Sequence, residues 1–223
     1  MKNAETPVVK VVLYGAMSSL GSALMAEMLR RQHEVIAILD DLTALAPRPG
    51  LRTKTGDLFD AKRVKQSVAG CSAVICLLDA PGLPMSSEHV EKSIVPGPVE
   101  QVLAVDALID GMQASGIARL FLVGDFEALD DPEIEDRLQR HAAEEIREAL
   151  QSSTLHWTLV NAPRGVPGLT IEHFSHVSSS LEPGLAEPLG RLSRVAVGIA
   201  DELRLNLHVG EHVTFVATEA IQR

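Results

Sequence analysis

The run Gly15-Ala16-Met17-Ser18-Ser19-Leu20-Gly21 stands between a β-branched stretch, residues 8–14, and a stretch in which Leu20, Ala23, Leu24, Met28 and Leu29 recur at helical spacing. A strand that turns into a helix in this way aims backbone N–H groups and the positive end of the helix dipole at one point, an arrangement that holds a pyrophosphate. Gly15 would make the turn, and Gly21 would let the helix pack closely on the strand. Ser18 takes the place where such turns commonly have a middle glycine, so its side chain either crowds a phosphate or donates its hydroxyl to one. An ordinary strand-to-helix turn is the alternative for the run as a whole.

Two further strand ends offer groups that a dinucleotide would need. Asp40 falls 19 residues after Gly21, at the end of the apolar run 35–39, where a carboxylate can accept from a ribose 2′-hydroxyl. Asp41 lies beside it, so a 2′-phosphate would meet like charge; this favours NAD over NADP, with Arg48 and Arg52 the nearest cations. In Gly56-Asp57-Leu58, Asp57 could accept from an adenine amino group and Leu58 could pack on the ring, although Gly-Asp alone is also an ordinary turn.

The remaining polar residues divide into weaker groups. Asp79, Asp125 and His141 are the available proton donors if the chain is an enzyme. Arg164 could hold an anionic substrate or be a solvated loop residue, and His173, Phe174 and His176 could edge a substrate pocket. No metal site is expected from His173-x-x-His176 or His208-x-x-x-His212, because neither has a cysteine nearby and the helical His-Glu-x-x-His arrangement is missing. Cys71 and Cys76, on one predicted strand, are too far apart and on opposite faces to bond, so both are expected as reduced thiols in a cytoplasmic protein.

The elements that must position these residues alternate strand and helix. Strands are predicted at 8–14, 35–39, 51–55, 72–78, 119–123 and 155–160, with a last short one at 213–216. Helices are predicted from Leu20 to about Arg31, over 60–68 capped by Asp60, over 98–115 between Pro98 and Gly116, from Pro132 to Leu150, and over 192–203. Glu133 with Arg137, Asp136 with Arg140 and Arg140 with Glu144 are spaced for exposed pairs on the fourth of these. The helix 98–115 carries a wide apolar stripe that could be covered within its own domain or could pair with a second copy as a homodimer. Two stretches rich in glycine and proline, 80–98 and 161–190, are expected to form the substrate side. The pattern predicts an α/β fold, a doubly wound, mostly parallel sheet in one domain over 1–223, whose ligands sit beyond the carboxyl ends of the strands.

In order and spacing, the segments 15–40, 56–58, 60–75 and 155–160 with Asp201-Glu202-Leu203 resemble the atypical short-chain dehydrogenases, in particular the NmrA-like and NADH-flavin reductase branch. The resemblance covers nearly the whole chain. It implies a single Rossmann domain with NAD(P) across the strand ends, the pyrophosphate at residues 15–20 and the adenine by Asp57-Leu58. The nicotinamide would lie near Leu78, Asp79, Ala80, Gly124 and the loop after Val160. Relatives on this branch reduce flavins, quinones or small carbonyl compounds, and some bind the nucleotide as sensors without turnover.

The chain departs from those relatives at four places. Ser18 replaces the middle glycine, and Asp40 replaces a basic residue that favours NADP. Asp125-Phe126-Glu127 puts bulk and negative charge where a small Gly/Ser-rich run is usual. The Tyr-x-x-x-Lys pair of the main short-chain dehydrogenases is missing, since Tyr14 is the single tyrosine and Ser18 stands four positions on.

Composition excludes other classes. With 20 Lys+Arg against 30 Asp+Glu in 223 residues, the net charge of −10 disfavours a nucleic-acid partner, and no apolar run approaches the roughly 18 residues of a membrane span. The expected function is an NADH-dependent reductase that passes a hydride to flavin, quinone or a small carbonyl compound. A catalytically inactive dinucleotide sensor is the alternative, and a structural protein without nucleotide is a third reading.

Overall fold

The computed structural model describes residues 8–84, 95–131, 133–134, 136–175 and 184–215. Seven strands form one parallel sheet in the order β3-β2-β1-β4-β5-β6-β7: β1 Lys10–Tyr14, β2 Glu34–Ile38, β3 Leu51–Lys54, β4 Ala73–Leu77, β5 Arg119–Gly124, β6 His156–Asn161 and β7 Glu211–Val213. β4 is buried along its whole length and β1 along all but its first residue, which is why they read as continuous apolar runs rather than alternating ones. Helices α1 Ser19–Arg30, α5 Ile171–Ser175 and α6 Ala186–Leu205 pack together, as do α2 Ala61–Val68, α3 Pro98–Ser115 and α4 Arg137–Ser152. This is the expected doubly wound Rossmann sheet, single-domain, with every strand pairing parallel.

The strand order reverses between β1 and β4, where Tyr14 pairs with Cys76, and β4 continues the register into β5 through Leu77 and Val123. Chains leaving β1 and β4 therefore part to opposite sides and open a crevice at their carboxyl ends. Beneath it the core is filled by Leu13, Tyr14, Leu24, Ile75, Phe121 and Leu159, all within 1% of full burial.

Several boundaries follow directly from local chemistry. Asp60 caps α2 by accepting from Lys62 and Arg63 N–H, and α3 runs from Pro98 to the left-handed Gly116. The apolar stripe of α3 is largely covered within the domain: Val102, Val105, Leu108, Ile109 and Met112 are buried, and Val99 and Leu103 are exposed. Both cysteines are free and buried.

Other boundaries differ from the sequence reading. α4 starts at Arg137, because Asp136 accepts from Leu138 and Gln139 N–H and so ends the preceding coil; Pro132 lies outside the described residues. Arg140, expected in surface pairs, instead donates to the carbonyls of Ala128 and Ile134 and ties α4 to the 3-10 turn Glu127–Leu129. α6 begins six residues earlier than expected, at Ala186 rather than Leu192, and α5 forms within a stretch read as open loop. β7 sits at Glu211–Val213 rather than 213–216. Asp201-Glu202-Leu203 has a structural part: Asp201 pairs with Arg31, the residue that caps the end of α1, at 2.7 Å, and the buried Glu202 faces Arg119 of β5 at 3.4 Å.

Candidate functional site

The turn after β1 is shaped by two close approaches. Gly15 has φ +85°, and a Cβ there would lie 2.6 Å from Ala80 Cβ. A Cβ on Gly21 would lie 2.3 Å from the Gly15 carbonyl oxygen, so only glycine lets α1 begin this close to the strand end. Ser18 is the N-cap of α1: its hydroxyl accepts from Gly21 N–H at 2.9 Å and donates to the Gly15 carbonyl at 2.9 Å. The hydroxyl as placed closes the turn, and Ser18 also lines the cavity. The N–H groups of Ser19 and Leu20, at the first two helical positions, have no protein acceptor among the described residues. They are the groups available to an anion.

A cavity of about 670 Å³ opens in front of this turn. Its wall runs from Met17, Ser18, Ser19 and Leu20 across Leu77, Asp79 and Ala80 of the β4 end, Val123 and Asp125 of the β5 end, and the loop 162–169 after β6. That loop is fastened to the first turn of α1, since Val166 N–H donates to Ser19 Oγ at 3.2 Å and Ser22 Oγ donates to the Leu169 carbonyl at 3.4 Å. Arg164 is carried on it and lines the cavity. Ala16 and Leu78 are buried behind the wall, and Gly124 lies against the Phe126 ring.

Asp79 is the partly buried acid of the site. Its carboxylate accepts from Gln101 Nε2 at 3.1 Å, and Gln101, itself 6% exposed, also donates to the Pro96 carbonyl. Burial, then the neighbouring charge of Asp125, push the Asp79 carboxyl up to about 6, against the opposing pull of hydrogen bonds from Asp125 N–H and Gln101. Gln101 is a residue that sequence reasoning missed; a contact spanning 22 positions has no local signature.

Asp125-Phe126-Glu127 resolves into two different behaviours. Asp125 and Glu127 line the cavity, so the negative charge expected there is present. Phe126 is 1% exposed and turns into the core, with its ring edge-on to His212 at 6.1 Å, so the expected bulk is not in the cavity. His212 holds that corner through Asn161 Oδ1 at 2.9 Å and Asp130 Oδ1 at 3.2 Å.

The adenosine-side residues lie outside this cavity, on neighbouring strand ends. Asp40 is exposed, and its carboxyl is raised by partial burial and then by the charge of Asp57. Asp40 has no hydrogen-bond or ion-pair partner among the described residues, whereas Asp41 is engaged by Thr43 N–H and Oγ1 at 2.8 and 2.7 Å. Arg48 is paired with Glu172. Asp57 accepts from Phe59 N–H at 2.9 Å, a turn that drives Leu58 into the core at 0% exposure. No ring can pack on the Leu58 side chain as it stands, which corrects that expectation.

Three other expected residues are not at the cavity. His141 is exposed on α4. His173 turns back on its own helix end, its Nδ1 accepting from Thr170 N–H at 3.1 Å. Phe174 lines a separate hollow of about 390 Å³ beside α1, because α5 packs on that helix; His176 lies outside the described residues. Tyr14 is fully buried, and burial pushes its phenol far above the usual range, so it cannot serve as an acid in any pairing. Among the described residues no group of three or more His, Cys, Asp or Glu could hold a metal ion, and no helix is long and apolar enough to cross a membrane.

The NAD(P)H-binding family profile matches residues 15–170, a span that includes the glycine turn, both sheet halves and most of the cavity wall. The chain belongs to the NAD(P)H-binding family. The resemblance drawn from the sequence is borne out at the level of an NAD(P)-binding Rossmann family. No curated protein matches the chain. Among solved structures, a candidate epimerase from Bacteroides thetaiotaomicron is 19% identical, with TM-score 0.65, covering 96% of this chain and 100% of that one. A candidate NADH-flavin reductase from Streptococcus pneumoniae TIGR4 is 18% identical, with TM-score 0.62 and coverage of 94% and 100%. A Bordetella bronchiseptica enzyme in complex with NAD+ is 14% identical, with TM-score 0.59 and coverage of 94% and 76%. At these identities the likeness is one of fold.

The residues present fit the family's cofactor. Gly15 and Gly21 let α1 begin tight against the end of β1, Ser19 and Leu20 N–H have no protein acceptor among the described residues and are open to an anion, and Asp40 offers a carboxylate just past β2.

Proposed function

We propose that this NAD(P)H-binding protein is an NADH-dependent reductase of the NADH-flavin reductase type, passing a hydride to flavin, quinone or a small carbonyl compound. One observation carries the reading. The cavity continues from the α1 turn past the ends of β4 and β5, and Phe126 is turned out of it, which leaves room for a second ring beside the cofactor's.

When bound, the nicotinamide supplies the hydride, and no Tyr-Lys pair is needed for transfer between stacked rings. In this reading Ser19 and Leu20 N–H and Arg164 take the pyrophosphate end, and Asp40 accepts from the ribose. Asp79, held by Gln101, stands where it can keep or release a proton at its carboxyl near neutral pH. The 162–169 loop, fixed to Ser19, narrows the mouth and limits water. NAD is favoured over NADP in this reading because Asp40, with Asp41 beside it, would meet a 2′-phosphate with like charge and Arg48 is already paired. A cytoplasmic setting suits two free thiols.

A non-catalytic dinucleotide sensor is the second reading, favoured by the negative charge that Asp125 and Glu127 bring to the cavity wall where a relative's small Gly/Ser-rich run would stand. NADH oxidation measured against a panel of flavins, quinones and small aldehydes decides between the two. Acceptor-dependent oxidation is expected; NADH binding without turnover on any of the panel would sink the reductase and leave the sensor.

A further inference from the structure

The charged groups of the cavity are not balanced in sign. Among the described residues lining it they are Asp79, Asp125, Glu127 and Arg164. Arg164 sits on the loop 162–169, which runs from Ala162, whose N–H donates to the Gly124 carbonyl at 2.8 Å, to Val166, whose N–H donates to Ser19 Oγ in the first turn of α1. The three acids come from the ends of β4 and β5, the end left for the acceptor. Asp125 and Glu127 are exposed, and no cation pairs with either among the described residues. Asp125 Oδ1 is engaged only by Glu127 N–H, at 3.3 Å. No ion pair joins Arg164 to any of the three acids among the described residues, and the acids outnumber it three to one in the wall.

Resting on the reductase reading, we propose that the acceptor is an uncharged or cationic ring compound and that Asp125 and Glu127 turn anionic acceptors away. A phosphate within a Debye length of two unpaired carboxylates, about 8 Å at physiological salt, meets repulsion that water screens only in part. Discrimination here comes from an unfavourable contact with the wrong ligand rather than a better one with the right ligand.

Riboflavin and FMN test this, because they share one isoalloxazine ring and differ by a phosphate. In the reaction, NADH gives a hydride and the medium a proton, so that NADH becomes NAD+ and the flavin its dihydro form. Two readouts are taken: kcat/KM for NADH oxidation, and flavin affinity for the NAD+-loaded protein by fluorescence quenching. Riboflavin is expected to exceed FMN by roughly tenfold or more at low salt. The ratio is expected to fall toward one at high salt and in the double variant Asp125→Asn, Glu127→Gln. Removing two acids far from the cavity, Glu145→Gln with Glu148→Gln on α4, is expected to leave the ratio in place and controls for net charge.

Equal or better use of FMN by the unaltered protein would overturn the proposal. So would a ratio unmoved by the Asp125, Glu127 double variant, or binding of neither flavin. A binding preference for riboflavin without NADH oxidation would support the charge rule and contradict the reductase reading instead, which keeps the two failures apart.

Discussion

Asp79 is the partly buried acid of the cavity wall. Its folded-state value of about 6 lies above the usual 3.8, so the folded protein holds a proton that the unfolded chain has already lost. Stability therefore falls as pH rises from about 4 to about 6, and above that window the protein carries the whole cost, up to about 3 kcal/mol. Asp79→Asn is expected to be more stable than the parent at about pH 8 by up to that amount, with the gain vanishing near pH 4. Urea unfolding of both proteins across this range checks it; a gain of the same size at both ends would show that the substitution acts through packing and not through ionisation. The identity of this acid was legible from its place after an apolar strand. Its partner was not, because Gln101 reaches it from a helix that begins beyond the intervening 80–98 stretch.

At the scale of elements, the start of α1 decides whether there is a cofactor turn at all. Ser18 stands at the position that sequence reasoning singled out, but its hydroxyl serves the helix: it accepts from Gly21 N–H and reaches back to the Gly15 carbonyl. Ser18→Ala is accordingly expected to lower stability by about 1 kcal/mol and Ser18→Gly by only a few tenths, with a matching order in thermal midpoints. A Ser18→Ala protein as stable as the parent would remove the cap assignment. Most strands and α3 were legible because their signals are local: β-branched runs, Pro98 at a first turn, Gly116 past the last. The first turn of α6 was not, because Pro188 and Gly190 read as breakers, although a proline so near a helix start breaks no intrahelical bond. α5, five residues long, is too short to show a period. His173 and Phe174 were misplaced for the same reason: their direction is set by α5 docking on α1, a contact between distant parts of the chain. Phe126 shows the limit most plainly, since its sequence neighbours face the cavity while its ring faces the core.

The whole molecule carries a net charge of −10 and belongs to a family whose cofactor is itself an anion. Its sheet reconciles the two by the order of its strands. Reversal between β1 and β4 places the first turn of α1, with the uncompensated N–H groups of Ser19 and Leu20, at the mouth of the crevice, while the acids gather on the strand ends to either side. Asp40 and Asp57 flank it toward β2 and β3, and Asp79 and Asp125 toward β4 and β5. In the proposed reading the arrangement admits one pyrophosphate and would disfavour a further phosphate on the ribose. Calorimetric titration of the unaltered protein and of Asp40→Ala with NADH and NADPH in parallel tests this most directly. NADH is expected to bind the unaltered protein more tightly than NADPH, and Asp40→Ala is expected to lose NADH affinity by roughly 10- to 150-fold, the worth of hydrogen bonds to a charged group. Absence of NADH binding, or an affinity for NADH that Asp40→Ala leaves unchanged, would contradict it.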